Sequence, residues 1–508
     1  MVLEILSTIF SFYNLLIITF GCLFGVMLGC IPGLNGGIGI TLLLPLSFTM
    51  PPASALLLLG GIFMGSSYGG SISAILLNVP GTSEAYCTSL DGYPMARNKR
   101  GKEALYYAVL ASCIGGFIGV FVLIAFSPVL ADFALRFGPP EYFLVGCVGL
   151  TVVGGLAGKN FFKGIAAVCI GLILGMIGFD TVTGALRLTY GSKKLIGGIE
   201  LMPVILGLFA LTEMLLQINE VRHNKTTKRN TDSGIQDLGK MSLGAAVVNC
   251  FRNKLILLKS SLIGTLIGAL PGPGAAISSF LAYGEVKRSA IDDEIPVGEG
   301  NYKGILAAEA ANNAAVGGGF VPMLSLGIPG TPTAAVIYGA MIIHGLQPGP
   351  RLFVDTPVIA YTFSYGMLLS VLLMGVVGIF CVPFFTKILK LDIKYIIVPV
   401  ILCSILGAFS IRNSMFDVFV AIVFGFLGVL FHKFSIPTSP IVLGIILSGL
   451  IEKNFRLSIT MAAAKHVGLF RFTFTRPLCL VILAVGILLV FLNIRSMQKE
   501  KKYKKEIK

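Results

Sequence analysis

The sequence predicts an all-α, polytopic membrane protein made of two inverted structural repeats, with broken or re-entrant helices at Pro-Gly motifs. Three observations predict it. Of 508 residues, 55% are hydrophobic and only 12% charged, in apolar runs long enough to span a bilayer. Two blocks of the first half recur in the same order in the second: "GVMLGCIPG" (25–33) matches "GTLIGALPG" (264–272), and "GGSISAILLNVPGT" (69–82) matches "GGFVPMLSLGIPGT" (318–331). Each block carries Pro-Gly inside an apolar run, where proline stops a helix and glycine lets the backbone turn.

Taken in order, apolar segments of helical length run over 7–30, 53–79, 104–131, 141–158, 164–179, 197–217, 256–270, 305–328, 331–346, 358–386, 395–411, 413–431, 437–451 and 477–494. The stretches 31–50 and 256–283 are expected to be half-helices that enter the bilayer and turn back. The opening "MVLEILSTIFSF" has no basic region before its apolar run, so it is read as a retained first span. Lys and Arg number eight in 218–259, four in "ARNKRGK" and seven in 495–508, which places these three segments in the cytoplasm. The N-terminus then falls outside and the C-terminus inside. The expected organisation is a first membrane half (1–217), a basic cytoplasmic linker (218–259), a second membrane half (260–494) and a basic cytoplasmic tail (495–508). The link after the first Pro-Gly-Thr is cytoplasmic, whereas "HGLQPGPRLF" after the second falls outside, so the repeats should be inverted, an arrangement of many secondary transporters. The stretch 452–476 falls outside by parity despite five basic residues, and is expected to lie at the interface.

Several function classes are excluded. The net charge of +15 lies in links and tails between spans, which suits lipid headgroups and not nucleic acid. Ten cysteines occur singly, and four histidines show no H-E-x-x-H spacing, so no metal or cofactor is expected. With no Walker loop, G-x-S-x-G elbow or paired intramembrane aspartates, no enzyme is expected either.

Backbone that leaves helical geometry inside a bilayer needs polar partners. The unpaired N–H groups and positive dipole end of each new half-helix suit an anion, and two facing tips suit an acid with two or three carboxylates. The residues expected at the tips are Gly33, Asn35, Gly36, Gly272, Pro273 and Gly274, with hydroxyls from Thr82 and Thr331. The alternative is that these Pro-Gly pairs are only kinks at tight packing sites. In "AAEAANNAAVGGG", Glu309, Asn312 and Asn313 form a polar cluster on a small-residue helix. It is read either as a site for a coupling cation, Na+ or H+, or as an interhelical hydrogen-bond clasp. Glu84 and Asp91 are expected to cap loops or turns, "GEVKRSAIDDEIPVGEG" to be a solvated loop, and His344 to be structural.

These motifs resemble the large membrane subunit of the tripartite tricarboxylate transporters. The likeness rests on "GVMLGCIPGLNGGIGITLLLP", "GGSISAILLNVPGT" with "LDGYPMARNKRGKEAL", and "AAEAANNAAVGGGFVPMLSLGIPGTPTAAVIYGAMIIHGLQPGPRLF". It implies a permease subunit in the cell's inner membrane that imports tricarboxylates or related acids down an ion gradient. The implied partners are a small four-helix membrane subunit and an extracytoplasmic solute-binding protein. The chain departs from the family pattern at Asn35, where small residues are usual, and at Ala308, where proline is usual. Both departures leave the substrate open, and a self-sufficient carboxylate exchanger or exporter, or an uncoupled anion channel, remains an alternative.

Overall fold

The computed structural model describes residues 1–31, 34–156, 161–180, 185–223, 238–239, 241–270, 274–290, 293–380 and 394–488. The chain is helical almost throughout. The expected first span is two helices, α1 (Val2–Ile9) and α2 (Phe12–Gly29), because the Ser11 hydroxyl accepts the Asn14 N–H at 3.3 Å and caps a fresh start. Next come α3 (Gly36–Ser47), α4 (Pro52–Leu77), a 3₁₀ turn (Ser83–Ala85) and α5 (Tyr86–Met95). A kink at Asn98 and Lys99 leads into the 34-residue α6 (Gly101–Ala134). Then come α7 (Pro139–Leu156), α8 (Phe161–Gly175), a small antiparallel hairpin of β1 (Gly178–Phe179) and β2 (Leu186–Arg187), and α9 (Leu201–Ile205). The last runs through a π-helical stretch, Leu206–Leu211, into α10 (Thr212–His223).

The second half holds α11 (Leu243–Arg252), α12 (Lys254–Gly268), α13 (Gly274–Ser289), α14 (Tyr302–Leu326), α15 (Pro332–Ile343) and the single-turn α16 (Leu352–Asp355). After it come α17 (Pro357–Phe380), α18 (Lys394–Arg412), α19 (Met415–Lys433), α20 (Ser439–Ala464), α21 (Leu469–Phe474) and α22 (Pro477–Leu488). Helix α11 and the start of α12 lie within the stretch expected as linker; 224–237 and the C-terminal tail lie outside the described residues. Among the described residues, six helical stretches are long and apolar enough to cross a membrane, as a multi-pass membrane protein requires.

The helix expected over 437–451 is longer than expected. Residues 452–464 continue α20 without a break. Two of their three charged residues are paired: Glu452 takes Arg187 at 2.5 Å and Arg456 at 2.9 Å, while Arg456 also reaches Asp180 at 2.9 Å, tying α20 to the β-hairpin region.

The core is built on two central helices, α4 and α14, both buried along nearly all of their length. Glycine stripes bring their neighbours to backbone contact. Gly21 and Gly25 of α2 lie against the Leu58 and Ile62 backbone of α4, while Gly264 and Gly268 of α12 lie against Ala311 and Ala315 of α14. Across the halves, Gly115 and Gly119 of α6 sit on Ala310 and Ala314 of α14, with no room for a side chain.

The matched sequence blocks fold alike. Both central helices end on a left-handed residue, Asn78 (φ 56°) and Gly327 (φ 75°), which stand at equivalent positions. In each Pro-Gly-Thr loop the glycine N–H then donates back to a helix carbonyl at 3.1 Å, Gly81 to Gly70 and Gly330 to Gly319.

Candidate functional site

Three helices begin beside one cavity of about 540 Å³, lined by both halves of the chain. The first is α3. Asn35 is its N-cap, with Oδ1 accepting the Ile38 N–H at 3.1 Å, and at 12 residues α3 is about 18 Å long, too short to cross a bilayer. The second is α13, entered at Gly274, and the third is α15, entered at Thr331–Pro332. Thr331 is the N-cap of α15, its hydroxyl accepting the Ala334 N–H at 3.1 Å, and Pro332 occupies the position where a missing N–H costs nothing.

The caps leave other first-turn N–H groups without an intrahelical partner. Among the cavity-lining residues these include Gly37 of α3 and Thr333 of α15. A Cβ at Gly37 would lie 3.1 Å from Asn35 Oδ1 and 3.7 Å from Thr333 Oγ1, so the two halves are within a side chain's reach there.

Of the residues expected at the site, Asn35, Thr82, Gly274 and Thr331 line this cavity. Gly36 lies just behind, buried against the Ser66 side chain. Gly33, Gly272 and Pro273 lie outside the described residues. Thr82 differs from its counterpart: it has the same extended backbone as Thr331, yet its buried hydroxyl has no hydrogen-bond partner among the described residues. The wall also contains residues for which the sequence offered no pattern. Glu84 was expected only as a loop cap, and Glu213, His432 and Ser439 come from helices outside the repeated blocks. Among the described residues no Lys or Arg lines the cavity; what they present to an anion there is N–H groups, hydroxyls, helix dipoles and the His432 imidazole.

The polar cluster of α14 adjoins the cavity and divides in two. Glu309 is fully buried and accepts three hydroxyl hydrogen bonds from three helices of the first half. Ser71 donates at 2.5 Å, Thr88 bonds the same oxygen, and Ser112 donates to the other at 2.9 Å. Asn312 Nδ2 donates at 2.9 Å to the carbonyl of Ser67, a cavity residue; Asn313 Nδ2 faces Met64 and Met374. Both asparagines keep a buried Oδ1 without a partner among the described residues. Asp91 caps a loop, as expected, but one contributed by the other half: it accepts the backbone N–H groups of Gly298, Gly300 and Asn301 at 2.8, 3.0 and 2.8 Å, and the Tyr283 hydroxyl at 2.8 Å. No cluster of three or more His, Cys, Asp or Glu suited to a metal occurs among the described residues.

A family model described as tripartite tricarboxylate transporter TctA family matches residues 15–443. An uncharacterized 52.8 kDa protein in the TAR-I ttuC' 3' region of Agrobacterium vitis is 32% identical over 484 residues, covering 95% of this chain and 94% of that protein. An uncharacterized protein in the TAR-II ttuC' 3' region of the same organism is 30% identical over 229 residues, 45% of this chain and 93% of that protein. No solved structure matches the chain.

Proposed function

The chain belongs to the tripartite tricarboxylate transporter TctA family, and on that premise we propose that it is the permease subunit of a binding-protein-dependent importer of tricarboxylates or related dicarboxylates. It works in the inner membrane with its N-terminus outside and its C-terminus in the cytoplasm. A small membrane subunit and an extracytoplasmic solute-binding protein complete it. The two halves act as inverted repeats, presenting α3 and α13 to the substrate from opposite sides.

The observation that carries this reading is the convergence of the α3, α13 and α15 starts, with the Thr82 hydroxyl, on one cavity that no Lys or Arg among the described residues lines. Each start contributes roughly half an elementary charge, so three supply roughly +1.5 against the −2 or −3 of an ionised acid. Glu84 on the wall deepens the deficit. A cation travelling with the acid removes it, which favours symport over an uncoupled channel. The coupling cation is Na+ or H+, with Glu309, Asn312 and Asn313 as its contacts.

The test is uptake of labelled di- and tricarboxylates into proteoliposomes, with and without the accessory proteins, for the wild type and Gly37→Leu. A Cβ there meets only Asn35 Oδ1 and Thr333 Oγ1 and no backbone, so the leucine side chain branches off at the cavity that Asn35 and Thr333 line. Loss of uptake with unchanged thermal stability is expected. Undiminished uptake would remove the cavity from the transport path, and full activity without partners would make the protein a self-sufficient carrier.

A further inference from the structure

The interior beside the cavity holds two fully buried carboxylates, one from each half, and each is held by the other half. Glu309 of α14 is held by Ser71, Thr88 and Ser112; Asp91 of α5 is held by Tyr283, Gly298, Gly300 and Asn301. Neither has a Lys, Arg or His within ion-pairing distance among the described residues.

The donors differ in kind, and this decides what each carboxylate can do. Backbone N–H groups only donate. A proton on Asp91 Oδ1 would set a hydrogen against three N–H groups, and one on Oδ2 would turn the Tyr283 hydroxyl into an acceptor whose own hydrogen, far from its helix backbone, has no carbonyl one turn back to go to; each buried donor left unsatisfied costs about 1–3 kcal/mol. Hydroxyls both donate and accept, and a helical serine or threonine has an alternative acceptor in the carbonyl one turn back. The hydroxyl cage therefore suits both states of Glu309. The ionised carboxylate accepts all three bonds; after uptake of a proton on Oε2, the new O–H donates to Ser112 Oγ, whose own hydrogen turns to the helix backbone. No buried polar group is orphaned in either state.

The geometry points to Glu309 as the residue that binds and releases the coupled proton, with Asp91 as a fixed latch. The inference rests on the reading of the protein as a coupled carboxylate carrier and chooses H+ over Na+ as the ion. Its route to the cavity is short. Asn312, within one turn of Glu309, bonds the carbonyl of the cavity residue Ser67, while Ser71 lies one turn beyond Ser67 on α4. Thr88 belongs to the same short α5 that comes after Thr82 and Glu84 at the wall, so the weakening of its bond as Glu309 loses its charge reaches the substrate loop directly. The other titratable groups facing this region are Tyr68 of α4, Cys87 and Asp91 of α5, Cys113 of α6 and Tyr283 of α13. Lys259 of α12 is engaged elsewhere, with Glu285.

The experiment uses the full chain, with its accessory proteins where uptake requires them. Infrared difference spectra over a pH titration of the wild type, Glu309→Gln and Ser112→Ala read the C=O stretch of a buried protonated carboxyl group without any substrate. The wild type is expected to show a titrating band that Glu309→Gln lacks and whose midpoint Ser112→Ala moves. In transport, Glu309→Gln should lose accumulation driven by a pH gradient while retaining substrate counterflow, and Glu309→Asp should restore accumulation with a displaced pH profile. A wild-type spectrum without a band assignable to Glu309, or accumulation by Glu309→Gln with the wild-type pH dependence, overturns the assignment. Failure of the carrier reading is distinct: the wild type would then move no carboxylate at all, whatever the spectra show.

Discussion

Thr82 and Thr331 occupy the same place in matched Pro-Gly-Thr loops, with nearly the same backbone angles, yet their hydroxyls have different tasks. Thr331 caps α15, whereas Thr82 is buried at the cavity without a partner among the described residues. Thr331→Val removes a cap and is expected to cost about 1 kcal/mol of stability. Thr82→Val removes a hydroxyl that bonds nothing among the described residues. It should leave stability within about 0.5 kcal/mol, as for substitutions that break no named contact, while raising the substrate KM. The chain has no tryptophan, so the check is a thermal assay with a thiol-reactive dye, which reads its buried cysteines, run beside uptake kinetics. Equal stability losses would mean that Thr82 also caps, and an unchanged KM would place it outside the substrate's reach. The sequence could show that both threonines matter at the tips. It could not separate them, because the difference lies in the next residues of each loop: Pro332 opens a regular helix, while Ser83–Ala85 is a single 3₁₀ turn. Asn35 is a similar case. Its capping bond to Ile38 is local and legible from Asn ahead of a helix start, whereas its place at a cavity shared with Thr333 depends on a chain segment some three hundred residues away.

Among the elements, α5 is the one whose position depends most on distant partners. Asp91 on this helix holds a loop 207 to 210 residues away through three N–H groups, and Tyr283 of α13 completes the set. Asp91→Asn replaces an ionised acceptor by an amide whose NH₂ cannot accept, and should destabilise the protein by about 3 kcal/mol. Tyr283→Phe removes one bond to that carboxylate and should cost about 1.5 kcal/mol while uptake persists. The same thiol-dye melting assay ranks the two; a melting temperature for Asp91→Asn equal to the wild type would mean that α5 is held by packing alone. That Asp91 caps a loop was legible from its place in the link after the first Pro-Gly-Thr. Which loop it caps was not, since a single sequence carries no sign of pairing between segments so far apart. The helix breaks were legible wherever a local signal marks them, as at the Pro-Gly pairs. The α1–α2 break was missed because Ser11 is a single capping residue inside an apolar run, and the end of α20 was misplaced because its charges are neutralised by Asp180 and Arg187 and so do not stop the helix.

For the whole molecule, the deciding property is the handedness of the repeat. Equivalent left-handed caps at Asn78 and Gly327, and equivalent bonds from Gly81 and Gly330, establish that the two blocks share a local fold, which two parallel or two inverted copies would show alike. The membrane distinguishes them. From the first Pro-Gly-Thr the chain runs through α5 to an exposed kink at Lys99, and from the second through α15 to an exposed turn at Gln347. Inverted repeats bring these two points out on opposite faces, with Lys99 in the cytoplasm among the basic residues of its link. Parallel repeats bring them out on the same face. In a background whose native cysteines are replaced, Lys99→Cys and Gln347→Cys are to be labelled with a membrane-impermeant maleimide in intact cells and in inside-out vesicles. Labelling of Gln347→Cys in cells and of Lys99→Cys only in inverted vesicles is the expected result. Labelling of both from one side would make the repeats parallel, and the α3 and α13 starts would then reach the cavity from the same direction. An alternating-access mechanism built on exchanging the roles of the two halves would lose its structural basis, even with the cavity and its helix starts unchanged.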